Sequence, residues 1–209
     1  MDEQRLIEIN KNFYEDYAES FNKSRKNIWS EFDEVLKYVK NTDYVLDIGC
    51  GNGRFSKLFD KDQYLGIDFS KSLLKKAEAH NPLYKYLNID ITKKDWKDKI
   101  NRKFDVAILI AVLHHIPSSK LRIQVLSDIQ TILNKNAIIV MSLWHFQKNN
   151  SKFRNIGNDN YLVSWNKETQ RYVCYIKESE IEEYVKILKL KILHKFTARD
   201  NSYYIFKTL

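Results

Sequence analysis

The stretch YVLDIGCGNGRF, residues 44–55, runs from apolar residues into Gly49, Gly51 and Gly53, spaced two apart behind Asp47. The chain has 209 residues and only five glycines, so this cluster marks a point where something approaches the backbone closely. An apolar run ending in such a turn reads as a strand feeding a ligand-binding loop, with a following helix N-terminus to supply free N–H groups. A phosphate-binding loop would continue Gly-Lys-Ser/Thr, whereas Gly53 is followed by Arg54-Phe55. A dinucleotide loop would space its glycines G-x-G-x-x-G; here the spacing is G-x-G-x-G, with an acid ahead that would repel a pyrophosphate.

Around this loop, short apolar runs alternate with helical segments. Strands are predicted at Tyr44–Ile48, Tyr64–Ile67, Tyr84–Ile89, Phe104–Ile110 and Ala137–Leu143, and helices at Arg54–Phe59, Ser70–Ala79 and Lys120–Leu133. Ser70 and Ser118 or Ser119 suit helix N-caps. Amphipathic helices are predicted over 3–21 and 28–40, and Glu178–Leu188 is amphipathic too. Lys191–Thr197 and Ser202–Lys207 flank a turn-like ARDN, which predicts a final hairpin. The polar segment Gln147–Asn160 reads as a mobile surface loop, followed by a small hairpin from YLVSWN and RYVCYI. This is an α/β pattern: one domain over 1–209, with a helical cover over 1–42 and a core over 43–209. The sheet should be mostly parallel, with an antiparallel strand at the C-terminus.

Two further acids close predicted strands. Asp68 ends YLGID about twenty residues past the loop, where a carboxylate accepts from ribose hydroxyls. Asp90 ends the third strand, where it suits an adenine amino group with Ile91 against the ring. Either acid alone could be a helix cap. Ligands of open α/β sheets bind at the carboxyl ends of strands, where Asp47, the glycines, Asp68 and Asp90 all fall. A cationic adenosyl ligand, S-adenosylmethionine, satisfies the whole set. Phe69 beside Asp68, and Ile110 at the end of the fourth strand, complete the candidate cofactor residues.

Composition sets outer bounds. Lys plus Arg number 35 against 27 Asp plus Glu, a formal +8, which permits an anionic partner or reflects a lysine-biased surface. Two cysteines, Cys50 and Cys174, are too few for a disulfide framework or a cysteine zinc site, and no metal is expected. No signal pattern or long apolar run stands out, which predicts a cytoplasmic protein.

VLDIGCGNGR resembles motif I of the class I methyltransferases, whose fold is Rossmann-like, and FDVAILIAVLHHI resembles their fourth-strand motif. The paired histidines, SLWHFQ after the next strand, SRKNIW before the loop, VSWN with RYVCYIKESEIEE, and RDNSYYIF together resemble the tRNA wobble-uridine carboxymethyl methyltransferases. That family includes the methyltransferase domain fused to an AlkB-like tRNA hydroxylase. The resemblance runs over roughly residues 10 to 208. It departs at the turn before the fifth strand, where Asn134-Lys135-Asn136 replaces a Pro-Gly-Gly type sequence; Asn136 can adopt the left-handed conformation such a turn needs.

The resemblance implies methyl transfer to the carboxylate of 5-carboxymethyl uridine at the anticodon wobble position. On that reading Arg25 and Arg199 would attract the substrate carboxylate, His114 would orient it, and Asp200 and Asn201 belong to the same catalytic group. His115, Trp29, Trp144 and Trp165 would contact the substrate, the tryptophans by stacking a flipped base. Structural readings stand beside these: Trp29 as a core anchor, Arg25 as a solvated charge, and Arg199-Asp200-Asn201 as a plain hairpin turn. The implied partners are tRNA and a small zinc-binding activator subunit. The third strand, an edge in the family's strand order 3-2-1-4-5-7-6, offers Tyr84, Tyr86 and Leu87 for that subunit. A methyltransferase for a small molecule or another RNA, or an inactive scaffold, would share the same loop.

Overall fold

The computed structural model describes residues 1–25, 27–166 and 169–209; Lys26 of the SRKNIW motif lies outside them. The chain opens with three helices, α1 (Glu3–Asp16), α2 (Ala18–Ser24) and α3 (Phe32–Leu36). There follow β1 (Val45–Ile48), β2 (Tyr64–Asp68), α4 (Lys71–His80), β3 (Lys85–Asn88), β4 (Phe104–Ile110), α5 (Ser119–Thr131) and β5 (Leu133–Trp144). An inserted trio, β6 (Phe153–Gly157), β7 (Asn160–Ser164) and β8 (Gln170–Cys174), precedes α6 (Glu178–Ile187), β9 (Leu190–Ala198) and β10 (Asn201–Thr208).

Seven strands form one sheet in the order β3-β2-β1-β4-β5-β10-β9. The first five are parallel, while β10 is antiparallel to both β5 and β9. This is the mostly parallel, Rossmann-like sheet predicted, with β3 at its edge. Central strands are apolar because both faces are covered: Val45 to Ile48 and Val106 to Ile110 are all buried. One face packs Leu46, Ile48, Ala107 and Leu109 against α5 and α6 residues such as Ile129 and Tyr184. The other packs Val45, Val106 and Ile108 against Phe32 and Val35 of α3. Ser70 and Ser118 cap α4 and α5 by accepting from Leu73 N and Leu121 N.

Four expectations change. The helix over 3–21 breaks at Tyr17, whose φ of −104° and ψ of 18° divide α1 from α2. The helix over 28–40 shrinks to the five residues of α3. The segment 147–160 is not simply a loop, because β6 pairs with β7 and makes the small hairpin a three-stranded sheet. No α-helix follows the glycine loop. After Gly53 (φ 69°) the chain makes successive i→i+3 bonds, Ser56 N to Gly53 O and Leu58 N to Phe55 O, giving only a 3-10 turn at Ser56–Leu58. Asn136 does take φ 62°, at the irregular start of β5.

Candidate active site

A cavity of about 230 Å³ opens at the carboxyl ends of β1, β2, β4 and β5, with α1 and the α2–α3 segment contributing to its wall. Its lining contains Asp47, Gly49, Gly51, Asp68, Phe69, Asp90, Ile91 and Ile110 of the predicted cofactor group. It also contains Arg25, Trp29, His114, His115, Trp144 and Asn201 of the predicted substrate group.

The glycines divide by role. Gly49 and Gly51 both have positive φ (68° and 57°). A Cβ on Gly49 would lie 2.5 Å from Val112 Cγ2, while one on Gly51 would meet only the Phe21 ring at 3.4 Å. The third glycine is set back from the cavity: a Cβ on Gly53 would lie 2.6 Å from Tyr86 Oη and 2.9 Å from Ala77 Cβ. Close packing between the loop, α4 and β3 requires it.

The acids form a graded series. Asp47 is buried, accepts from Tyr64 Oη at 2.7 Å, and burial pushes its pKa up to about 7 against the pull of Tyr64 and Arg54. Asp68 accepts from Gly51 N at 2.9 Å on one oxygen and from Ser70 N at 2.8 Å on the other. Burial raises it to about 6, with those backbone bonds opposing. Each oxygen keeps a second lone pair, enough for two hydroxyl donors. Asp90 differs: Lys11 of α1 lies 2.5 Å from it and Thr92 donates through N and Oγ1, so despite desolvation its pKa is lowered. Buried acids at a glycine loop that faces the cavity fit a cationic adenosyl group.

Both histidines are held neutral. His114 is 3% exposed, and burial with the neighbouring His115 and Arg171 drives its pKa well down; its Nδ1 is buried without a partner among the described residues. His115 Nδ1 lies 2.9 Å from the Tyr172 carbonyl, so it carries the proton, and Nε2 accepts from Tyr14 Oη at 2.9 Å. Its pKa falls to about 3, through burial and the Arg171 charge.

Besides Gly53, three predicted residues lie away from the cavity lining. Arg199 has φ 52° in the β9–β10 turn, is largely exposed, and its Nε sits 3.4 Å from Glu31. Asp200 is exposed in the same turn, its carbonyl accepting from His145 N. The hairpin-turn reading describes these two, while Asn201 reaches the cavity. Trp165 packs edge-on to Phe13 and donates to Ser20 Oγ at 3.3 Å. Trp29 sits half-buried under Arg54, whose guanidinium lies 3.9 Å above its ring.

The cavity also holds residues that sequence reasoning missed: Asn10 and Tyr14 of α1, Arg54, and Arg171 of β8. Asn10 and Tyr14 are one turn apart, beside the apolar stripe that defined the helix; a polar residue next to that stripe was the available signal. Arg171 sits at an alternate position of RYVCYI, and strand alternation could have separated it from buried Tyr172 and Cys174.

The profile of a family described as "Methyltransferase domain" matches residues 40–195. The chain is 24% identical over 213 aligned residues to the tRNA (carboxymethyluridine(34)-5-O)-methyltransferase of Schizosaccharomyces pombe, covering 90% of this chain and 91% of that protein. It is 28% identical to the protein of the same name from Saccharomyces cerevisiae, over 66% of this chain and 49% of that protein, so it spans about half that relative's length. In fold it resembles an S-adenosylmethionine-dependent methyltransferase from Clostridium acetobutylicum, with TM-score 0.68 and 20% identity over 93% of this chain and 98% of that one.

Proposed function

The chain belongs to the methyltransferase domain family, and on that premise we propose that it transfers a methyl group from S-adenosylmethionine to tRNA. The acceptor is the carboxylate of 5-carboxymethyl uridine at the wobble position, and the product is its methyl ester. The names of the yeast relatives support this substrate.

The observation that carries the reading is the neutral histidine pair. A carboxylate is ionised at neutral pH, so its oxygen needs no general base. A histidine serving as base would need a pKa near working pH, yet His115 lies at about 3 and His114 well below its ordinary value. Their task is to shape the cavity and orient the nucleophile. When bound, S-adenosylmethionine would supply an electrophilic methyl carbon with a neutral thioether as its leaving group. No proton moves. What this chain contributes is placement: Asp68 and Asp90 for the adenosyl group, Asp47 and the glycine loop for its cationic end, and a site with little water. Arg25 attracts carboxylate charge into the cavity, and Trp29 and Trp144 offer faces for a base.

The single domain, helical cover over core, has the same meaning: α1 lends Lys11 to Asp90 and Tyr14 to His115, so the cover completes the site. Of the predicted edge residues, Tyr84 and Tyr86 are half-buried and pack edge-on to Tyr64, while Leu87 is exposed, as is Leu83 just before the strand. A small zinc-binding activator subunit adding a strand there would cover both leucines. This reading carries a cytoplasmic location with it; no helix among the described residues is long and apolar enough to cross a membrane.

The test is transfer of labelled methyl from the cofactor, with and without an activator subunit, to tRNA carrying carboxymethyl uridine and to tRNA lacking it. Label should enter only the first. Transfer to a metabolite and to neither tRNA would sink the reading.

A further inference from the structure

Arg171 lies outside the predicted cofactor and substrate residues. It enters the cavity from β8, in the inserted sheet, and its surroundings are unusual for a half-buried arginine. Its guanidinium lies 5.4 Å from the Trp144 ring centre and 5.7 Å from those of Phe13 and Trp165. Its Nη1 donates to Tyr14 Oη at 3.2 Å, but its Nε is buried with no hydrogen-bond partner among the described residues. No ion pair joins Arg171 to a carboxylate among the described residues, whereas Lys11 is taken up by Asp90, and Arg54, whose buried Nη1 also has no hydrogen-bond partner among them, stacks on Trp29. A buried guanidinium donor without an acceptor is costly, and such a group in a cavity calls for an anion.

The local bonds also fix where the guanidinium points. Tyr14 Oη accepts from Arg171 and donates to His115 Nε2, and His115 Nδ1–H donates to the Tyr172 carbonyl on the next residue of β8. The three side chains form a closed loop of bonds that ends on the strand where it began. The Arg25 guanidinium, in contrast, donates among the described residues only to Ser24, its own neighbour, at 3.2 and 3.4 Å. A preorganised cation is better suited than a loosely held one to hold a planar carboxylate in one orientation.

We propose that Arg171 is the residue that binds the acceptor carboxylate, holding it beside Trp144 and the histidine pair, with Tyr14 as the positioning residue that aims it. The proposal rests on the carboxylate-methylation reading above. It assigns Arg171 to recognition of the acid group: the guanidinium grips the carboxylate while leaving one oxygen lone pair free to attack.

Binding separates the two readings without turnover. Anticodon stem-loops carrying carboxymethyl uridine or its uncharged amide, carbamoylmethyl uridine, would be titrated into cofactor-product-loaded protein. The wild type should prefer the acid by roughly 10- to 100-fold, the range of one charge-assisted contact. Arg171→Ala should bind acid and amide alike and keep cofactor affinity within about threefold, with Arg171→Lys regaining part of the preference. Tyr14→Phe should weaken the preference by a smaller factor without removing it. If Arg171→Ala binds cofactor normally and still prefers the acid, the assignment of Arg171 is wrong while the methylation reading stands. If the wild type itself shows no preference for the acid, the methylation reading fails and takes this proposal with it. Should Arg171→Ala misfold, as loss of cofactor binding would reveal, Arg171→Lys decides: a preference unchanged from wild type overturns the proposal.

Discussion

Asp47 is placed where a carboxylate is costly. The unfolded chain would ionise it near 3.8, but in the fold its pKa is pushed up to about 7. Between those values the folded state holds a proton that the unfolded state has released, so the stability of the cofactor-free protein falls as pH rises through that window. Above about pH 7 the whole cost is present. Asp47→Asn should therefore raise the melting temperature of the cofactor-free protein at pH 8, by on the order of 2–5 °C, while weakening cofactor binding at least tenfold. Calorimetry checks both, and a lower melting temperature would contradict the account. The same acid makes cofactor affinity pH-dependent. A cationic ligand favours the carboxylate, so affinity for S-adenosylmethionine should be flat above about pH 7.5 and fall by up to tenfold per pH unit below about 6. Affinity independent of pH between 5.5 and 8 would remove Asp47 and Asp68 from the site. These acids were legible in the sequence because each lies at a strand end within a short local pattern. Arg171 and Tyr14 were not, because their contact joins residues 157 positions apart and no local pattern encodes it.

Among the elements, β1 to β4 were read to within one residue at each end, since apolar runs bounded by polar turns leave little freedom of register. The strand β5 begins at Leu133, four residues before the predicted Ala137, because its opening residues are polar. Periodicity overstated the N-terminal helices. It reports which face is apolar but not where the backbone breaks, and at Tyr17 the chain turns so that α1 can reach β8 while α2 stays over the glycine loop. That reach depends on Asn10, which is buried, accepts from Tyr172 N at 2.8 Å and donates to the His115 carbonyl at 3.2 Å. Asn10→Ala strands both backbone groups, a loss of about 1–3 kcal/mol. Hydrogen exchange in α1 should accelerate far more than in β1 or β4; equal protection in mutant and wild type would show that α1 is held by its apolar face alone. The strand β6 was missed because FRNIG has few β-branched residues and gains its pairing from β7.

Taken whole, the molecule carries a net positive charge and a cavity with acids near the glycine loop and arginines among its walls. The formal +8 is too diffuse to identify a partner by itself, but it does predict how tRNA binding behaves. On the proposed reading, neutralising about three phosphates would make affinity drop roughly 40-fold between 50 and 200 mM salt, while cofactor affinity changes little. Salt-insensitive tRNA binding would contradict an electrostatic docking surface. The central claim concerns the atom that receives the methyl group, and nucleoside mass spectrometry tests it most directly. After reaction with tRNA carrying carboxymethyl uridine, the wobble nucleoside should gain one methyl mass and lose it again in mild alkali, as an ester must. A methyl group that survives alkali, or that appears on any other nucleoside, would contradict the account.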